Sequence, residues 1–154
     1  MSRRSLLCLL LCLFLQVNLA AADESIVLTG DVQMRLGDAF MADGEYYRAV
    51  TEYKKYLILF PEGRQSDTAL FKTGRAYYLG LEYEAAAQIF ASLRTRFPGS
   101  PHGAEAAYHE GVCNAKLNRL DKAAAAFEAA AIAGASPIIA PEARLGRAFI
   151  QFDK

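Results

Sequence analysis

A period of 37 residues constrains this chain more than any other feature it has. Glu45–Pro61 reads EYYRAVTEYKKYLILFP and Glu82–Pro98 reads EYEAAAQIFASLRTRFP, with Glu, Tyr, Ala, an aromatic residue, Phe and Pro at matching places. Gly37, Gly74 and Gly111 keep the same spacing. Two residues after each comes a small side chain (Ala39, Ala76, Cys113), twelve after comes Ala49, Ala86 or Ala123, and sixteen after comes Tyr53, Phe90 or Phe127. Pro61 and Pro98 close the first two units, and Pro137 stands two places late in the third. LGRAF at Leu145–Phe149 restarts the pattern with Gly146, 35 residues after Gly111. Self-similarity at a period of about 20–50 residues marks a stack of supersecondary units.

Within each unit the apolar spacing is helical. Tyr46, Ala49, Val50, Tyr53, Tyr56, Leu57 and Phe60 follow steps of three and four, the signature of an amphipathic helix. AAAAFEAAA is strongly helix-favouring, and no segment alternates with period two. Turn residues divide each unit at Asp43-Gly44, Gly80-Leu81 and Asn118-Arg119, and separate units at Pro61-Glu62-Gly63, Pro98-Gly99-Ser100-Pro101 and Gly134-Ala135-Ser136-Pro137. The chain is therefore expected to be all-α, with about three helix pairs over residues 30–66, 67–103 and 104–140 and a last helix over 141–153. A glycine inside a helix costs about 0.5–1 kcal/mol relative to alanine. Three at one phase imply close packing that returns more than this, with the aromatic sixteen residues on filling the space beyond.

The first 22 residues follow a different rule. A basic start at Arg3 and Arg4, an unbroken apolar run from Leu6 to Leu15 and an Ala20-Ala21-Ala22 site are the parts of a secretory signal peptide. The run is shorter than the ~20 residues a membrane-spanning helix needs. Cleavage is expected after Ala22, leaving residues 23–29 as a lead-in and a periplasmic or secreted protein. Cys8 and Cys12 lie inside the apolar run with no small residue directly before them, so they are read as part of the signal rather than as lipidation sites. Without residues 1–22, 15 basic side chains face 17 acidic ones. A near-neutral chain is no nucleic-acid binder by charge. Cys113 is then the one cysteine left, so the fold rests on its apolar core without an intramolecular disulfide.

These positions resemble the tetratricopeptide repeat, whose units carry a small residue at the eighth position, an aromatic at the eleventh, Ala at the twentieth, an aromatic at the twenty-fourth and Pro at the thirty-second. The first unit has Gly37, Phe40, Ala49, Tyr53 and Pro61, and the second has Gly74, Tyr77, Ala86, Phe90 and Pro98. The third keeps Gly111, Ala123 and Phe127 but has Asn114 and Ala135 where the aromatic and the proline belong. The resemblance covers residues 30–154 and implies a right-handed α-solenoid of about three helix pairs with a C-terminal capping helix. LFPEGRQSDTALFKTGRAYY and RFPGSPHGAEAAYHEGVC look like the tetratricopeptide proteins of bacterial envelopes, of the outer-membrane assembly lipoprotein and Tol-Pal coordinator types. The anchor cysteine of the first and the coiled coil of the second are lacking, so a relative of these is expected. In the last helix Leu145, Ala148, Phe149 and Phe152 form an apolar stripe, and Arg144, Arg147, Gln151 and Lys154 a polar one. A stack end needs a polar outer face, and this helix is expected to supply it, the alternative being a chain that continues past Lys154.

No catalytic constellation emerges. His102 falls in a turn and His109 on the following helix, short of the three or four ligands a zinc site takes. Cys113 occupies the slot of Ala39 and Ala76 and reads as a packing residue. Glu45, Glu82 and Glu84 sit at helix starts, where carboxylates complement the helix dipole. There is no phosphate loop or nucleophile motif. No enzyme activity, metal or cofactor is expected.

Surface remains. The resemblance implies a concave face lined by the first helix of each unit, with Asp31, Met34, Asp38, Met41 and Ala42, then Thr68, Phe71, Arg75, Tyr78 and Leu79, then Glu105, Tyr108, Val112, Ala115 and Lys116 pointing into it. Arginine and aromatic side chains anchor interfaces. A peptide or protein segment of the cell envelope is thus expected to bind Phe71, Arg75, Tyr78 and Tyr108, with Met34 and Asp38 beside them, the alternative being that Phe71, Tyr78 and Tyr108 are partly core, covered by neighbouring helices. The Lys and Asn set with which such domains hold chaperone C-termini is absent from these positions. The alternative is a structural subunit that self-associates or docks through Ile138, Ile139 and Ile150.

Overall fold

A computed structural model describes residues 30–132 and 137–152, and all regular structure among them is helical. Helix α1 covers residues 30–42, α2 Tyr46–Leu59, α3 Ser66–Leu79, α4 Tyr83–Arg96, α5 Gly103–Lys116, α6 Leu120–Ile132 and α7 Ile139–Phe152. The expected signal segment, the lead-in, residues 133–136 and the last two residues lie outside the described ones. The helices α3, α5 and α7 begin one or two residues before the unit boundaries drawn from the sequence.

Each helix pair is held by the same contact. A β-carbon placed on Gly37 would stand 2.4 Å from the Tyr53 ring, one on Gly74 2.6 Å from Phe90, and one on Gly111 2.7 Å from Phe127. The ring sits directly on the glycine, rather than beyond a close backbone approach as the sequence suggests. Tyr53 and Phe90 are fully buried and Phe127 nearly so. Burying such a ring contributes about 1.5–3 kcal/mol, which outweighs the helical cost of the glycine beneath it.

The turn inside each unit is also a repeated device. Gly44, Leu81 and Asn118, 37 residues apart, have φ of 75°, 63° and 56°. At each, two backbone bonds close the helix end: Gly44 N to Met41 O and Glu45 N to Phe40 O, Leu81 N to Tyr78 O and Glu82 N to Tyr77 O, Asn118 N to Ala115 O and Arg119 N to Asn114 O. This is the Schellman arrangement, which places a left-handed residue just past the helix. In the second unit that residue is not Gly80 but Leu81, whose side chain is exposed.

Successive helices pack against one another within units and across them, α2 on α3, α4 on α5 and α6 on α7, and the first helices of neighbouring units also meet, α3 with α5 and α5 with α7. The odd helices thus form the inner, concave layer and α2, α4 and α6 the outer one. Side chains about one unit apart tie neighbours together: Lys72 to Asp38 at 2.7 Å, Tyr47 Oη to Glu82 at 2.7 Å, Arg96 to the Pro61 carbonyl at 2.8 Å, and Arg119 to Glu84.

The last helix corrects the sequence reading. Its buried residues are Ala143 and Ile150, packed among Ala107, Ala123, Phe127 and Ala130. They stand 37 residues after Ala106 and Cys113, which pack in the same way against Phe90 and Leu93. The register of α7 is therefore 37, not the 35 that Gly146 suggests, because two apolar side chains one helical face apart outweigh a single glycine. Leu145, Phe149 and Phe152 consequently do not pack inward and are 59%, 66% and 90% exposed. Arg144 and Gln151 lie where α5 would meet its following helix, and Arg147 reaches back to Glu128 at 3.4 Å.

A branched side chain in the left-handed region costs about 1–2 kcal/mol. Leu81→Gly is expected to raise the free energy of unfolding by about 1 kcal/mol, net of the glycine's greater freedom in the unfolded chain. Chemical denaturation followed by circular dichroism measures this; an unchanged or lower midpoint would show that the Leu81 side chain makes compensating contacts.

Candidate functional site

The 37-residue register sorts the inner layer into columns. Met34, Phe71, Tyr108 and Leu145 form one; Asp38, Arg75, Val112 and Phe149 the next; Met41, Tyr78, Ala115 and Phe152 a third. The six residues expected to bind a partner all lie in the first three helices of this layer, but they are not equally open.

Met34 and Phe71 are core residues, 4% and 5% exposed. Met34 packs in one cluster with Tyr53, Tyr56 and Ala69. Phe71 is covered because the turn after α4 folds onto α3. Ser100 Oγ donates to Asp67 Oδ2 at 2.7 Å, the Thr68 hydroxyl meets His102 Nε2 at 3.2 Å, and the His102 ring stacks on Phe71 with centroids 4.6 Å apart and planes within 6°. Neither residue offers a free face to a ligand, and the expectation that they would is corrected. Asp38 is reachable but engaged: it accepts from the Tyr53 hydroxyl at 2.7 Å and pairs with Lys72 at 2.7 Å. Burial and this carboxylate push the Tyr53 hydroxyl well above its ordinary pKa.

Arg75, Tyr78 and Tyr108 remain as open groups. Arg75 is exposed, with its guanidinium 6.0 Å from the Phe71 ring centre, and makes no ion pair among the described residues. Tyr78 and Tyr108 are half-buried. Burial, followed by Glu142, raises the Tyr108 pKa.

Between these three lies His109, on α5. Its ring centre is 5.4 Å from Tyr78, 5.6 Å from Tyr108 and 5.5 Å from Phe90, on which it stacks within 20°. Its Nδ1 is buried and meets no hydrogen-bond partner among the described residues, while Nε2 faces Glu105 at 3.7 Å. Desolvation is the main cause that lowers its pKa; Arg75 acts in the same direction and Glu105 against it. Cys113 is fully buried in its packing slot, and desolvation pushes its thiol up to about 12, so it supplies no nucleophile near neutral pH. Among the described residues no three potential metal ligands converge, and no helix is long and apolar enough to cross a membrane.

The depressed pKa of His109 gives stability a direction with pH. The unfolded chain binds this proton more tightly than the folded one, so the contribution is complete above about pH 6.5 and is lost as the pH falls below it. Between about pH 7 and about pH 5 the unfolding free energy of the native chain should fall by more than that of His109→Gln. Parallel curves for the two would contradict the assignment.

Known proteins give the same architecture. The tetratricopeptide-repeat family model matches residues 34–101 and again 71–137, together more than half of the chain. Among solved structures, the Sgt2 TPR domain from Aspergillus fumigatus superposes with a TM-score of 0.65 at 21% identity, over 80% of this chain and 78% of that one. The Arabidopsis OM64 TPR domain gives 0.67 at 17% identity over 84% and 99%. A CopN-Scc3 complex gives 0.62 at 15% identity over 81% and 68%. No curated protein matches the sequence. The repeated glycine–aromatic contacts, the helices of the described residues and the family match agree: this chain belongs to the tetratricopeptide-repeat family, whose fold is a scaffold for protein–protein interaction.

Proposed function

We propose that this chain is an exported adaptor that captures a segment of another cell-envelope protein along its inner face, in envelope assembly or maintenance. The observation that carries the reading is Arg75. It is an exposed cation in the middle of the inner layer, beside the His109 that Tyr78 and Tyr108 surround, and it makes no ion pair among the described residues. Of the acids of the same layer, Asp31 is held by Gln65 and Asp38 by Lys72, while Glu105 faces His109 at 3.7 Å. A bound segment carrying a carboxylate would meet a free guanidinium and two tyrosines, the side-chain types that dominate interface energetics. Ring burial would supply affinity at about 25 cal/mol per Å², less the cost of ordering the segment. Export rests on the signal-like residues 1–22, and the envelope setting on the phrasing of the turns between units. Docking through Ile138, Ile139 and Ile150 is the weaker reading, since Ile150 is buried against α6 and Ile139 is partly buried there.

Affinity capture from an envelope extract of the source cell, run with the native chain and with Arg75→Glu, tests this. Phe71 is unsuited to the comparison because its truncation would open the core. A protein held by the native chain and lost by a variant of unchanged helical signal is the expected result. Equal capture by both would move the interface off the inner face.

A further inference from the structure

Residues 34 apart meet across neighbouring units. Gln65 donates to Asp31 at 3.2 Å, the Thr68 hydroxyl meets His102 at 3.2 Å, and Lys72 pairs with Asp38 at 2.7 Å. One unit further on, the places of Asp38 and Lys72 are taken by Arg75 and His109. Lys72, His109 and Gly146 form one column, each 19 residues after the ring of the preceding outer helix, Tyr53, Phe90 and Phe127. The Lys72 ammonium lies 5.9 Å from the Tyr53 ring centre, the His109 imidazole stacks on Phe90, and Gly146 packs on Phe127. At the first junction an acid therefore faces a permanent cation across the units. At the second, a guanidinium stands in the acid's place and acts on a titratable base.

We infer that Arg75 and His109 form one carboxylate site on the inner face, and that His109 takes up a proton from solvent as an acidic group of the bound segment fills it. The inference rests on the inner-face reading above and adds to it a second residue and a proton. The groups that face the imidazole come from four helices: Arg75 and Tyr78 from α3, the Phe90 ring from α4, Glu105 and Tyr108 from α5, and Glu142 from α7. In the free chain desolvation disfavours the imidazolium, and Arg75 adds to this against Glu105 and Glu142. The buried Nδ1 also has no hydrogen-bond partner among the described residues, so a second N–H on the ring would lack an acceptor. A carboxylate on Arg75 shifts this balance. It cancels the repulsion from the guanidinium and adds an attraction of its own, and an opposite charge within about 4–6 Å moves a pKa by about 1–3 units. Further desolvation by the ligand opposes the shift. That effect is the smaller one, because the His109 side chain is already only 21% exposed. Proton uptake on binding and tighter binding at lower pH are one linkage, since each ligand raises the affinity for the other by the same factor.

A phage-displayed library of random dodecapeptides, panned on the full chain, supplies the probes. The enriched peptides are synthesised with free and with amidated C-termini, which separates a side-chain carboxylate from a terminal one. The His109 ring proton is then titrated by NMR in the native chain, free and peptide-bound, with His102→Gln and His109→Gln to assign the two histidines. Peptide affinity is measured across the same pH range for the native chain, His109→Gln and Arg75→Glu. The enriched peptides are expected to carry Asp or Glu and to be lost with Arg75→Glu. Binding should raise the midpoint of the His109 titration by about one pH unit, and affinity should be about tenfold tighter below both midpoints than above them. His109→Gln should remove that pH dependence; the titration of the native chain decides the matter by itself if this variant folds poorly. Peptides that need Arg75 but carry no acid, or that leave the His109 midpoint where it was, would overturn the paired site and leave the inner face standing. Peptides indifferent to Arg75→Glu, or no enrichment at all, would overturn both.

Discussion

A ring resting on a glycine is the contact on which this stack depends. Tyr53 on Gly37, Phe90 on Gly74 and Phe127 on Gly111 pin the two helices of each unit at one depth and one register. Any side chain at the glycine would collide with the ring, and a smaller residue in place of the ring would leave a cavity where the pair is otherwise most tightly packed. The balance is clear in magnitude. The ring's burial contributes about 1.5–3 kcal/mol, and the glycine's helical penalty is about 0.5–1 kcal/mol. Because the contact recurs every 37 residues, the helices after it recur in the same orientation, and the inner layer becomes a set of columns.

The columns explain why similar residues have different duties. Phe71 and Tyr108 stand in the same column, yet Phe71 lies beneath His102 and the Pro98–His102 turn while Tyr108 is half open. Asp38 and Arg75 share the next column, but Asp38 is neutralised by Lys72 and Arg75 is not. The column over the rings runs from an ammonium through an imidazole to a glycine, and Gly146 packs closely on Phe127, which is buried. The scaffold is therefore regular while the surface it presents is graded, with engaged polar groups near α1 and exposed apolar side chains on α7.

Much of this was legible in the sequence. The period, the paired helices, the position of each turn and the pairing of glycine with a later aromatic follow from spacing alone. What was not legible depends on contacts between units. The left-handed turn residue of the second unit was masked by Gly80 beside Leu81, since a glycine next to a turn draws the eye although its φ here is negative. The register of α7 was masked by Gly146, which imitates the repeated glycine at a spacing of 35, whereas Ala143 and Ile150 do the packing. The burial of Phe71 needed the fold of a proline-rich turn over a neighbouring helix. The place of His109 among four rings needed the depth of α5 against α3. The sequence marked all four residues as notable but could not say which neighbour covers them.

The position of α7 is the claim from which the graded inner face follows, and proton NMR tests it most directly. Nuclear Overhauser contacts from the ring protons of Phe127 should reach the α-protons of both Gly111 and Gly146, because the ring lies between α5 and α7 in this register. Contacts to Gly111 with none to Gly146, or contacts from Phe127 to Ala148 instead, would place α7 in the 35-residue register and turn Phe149 inward.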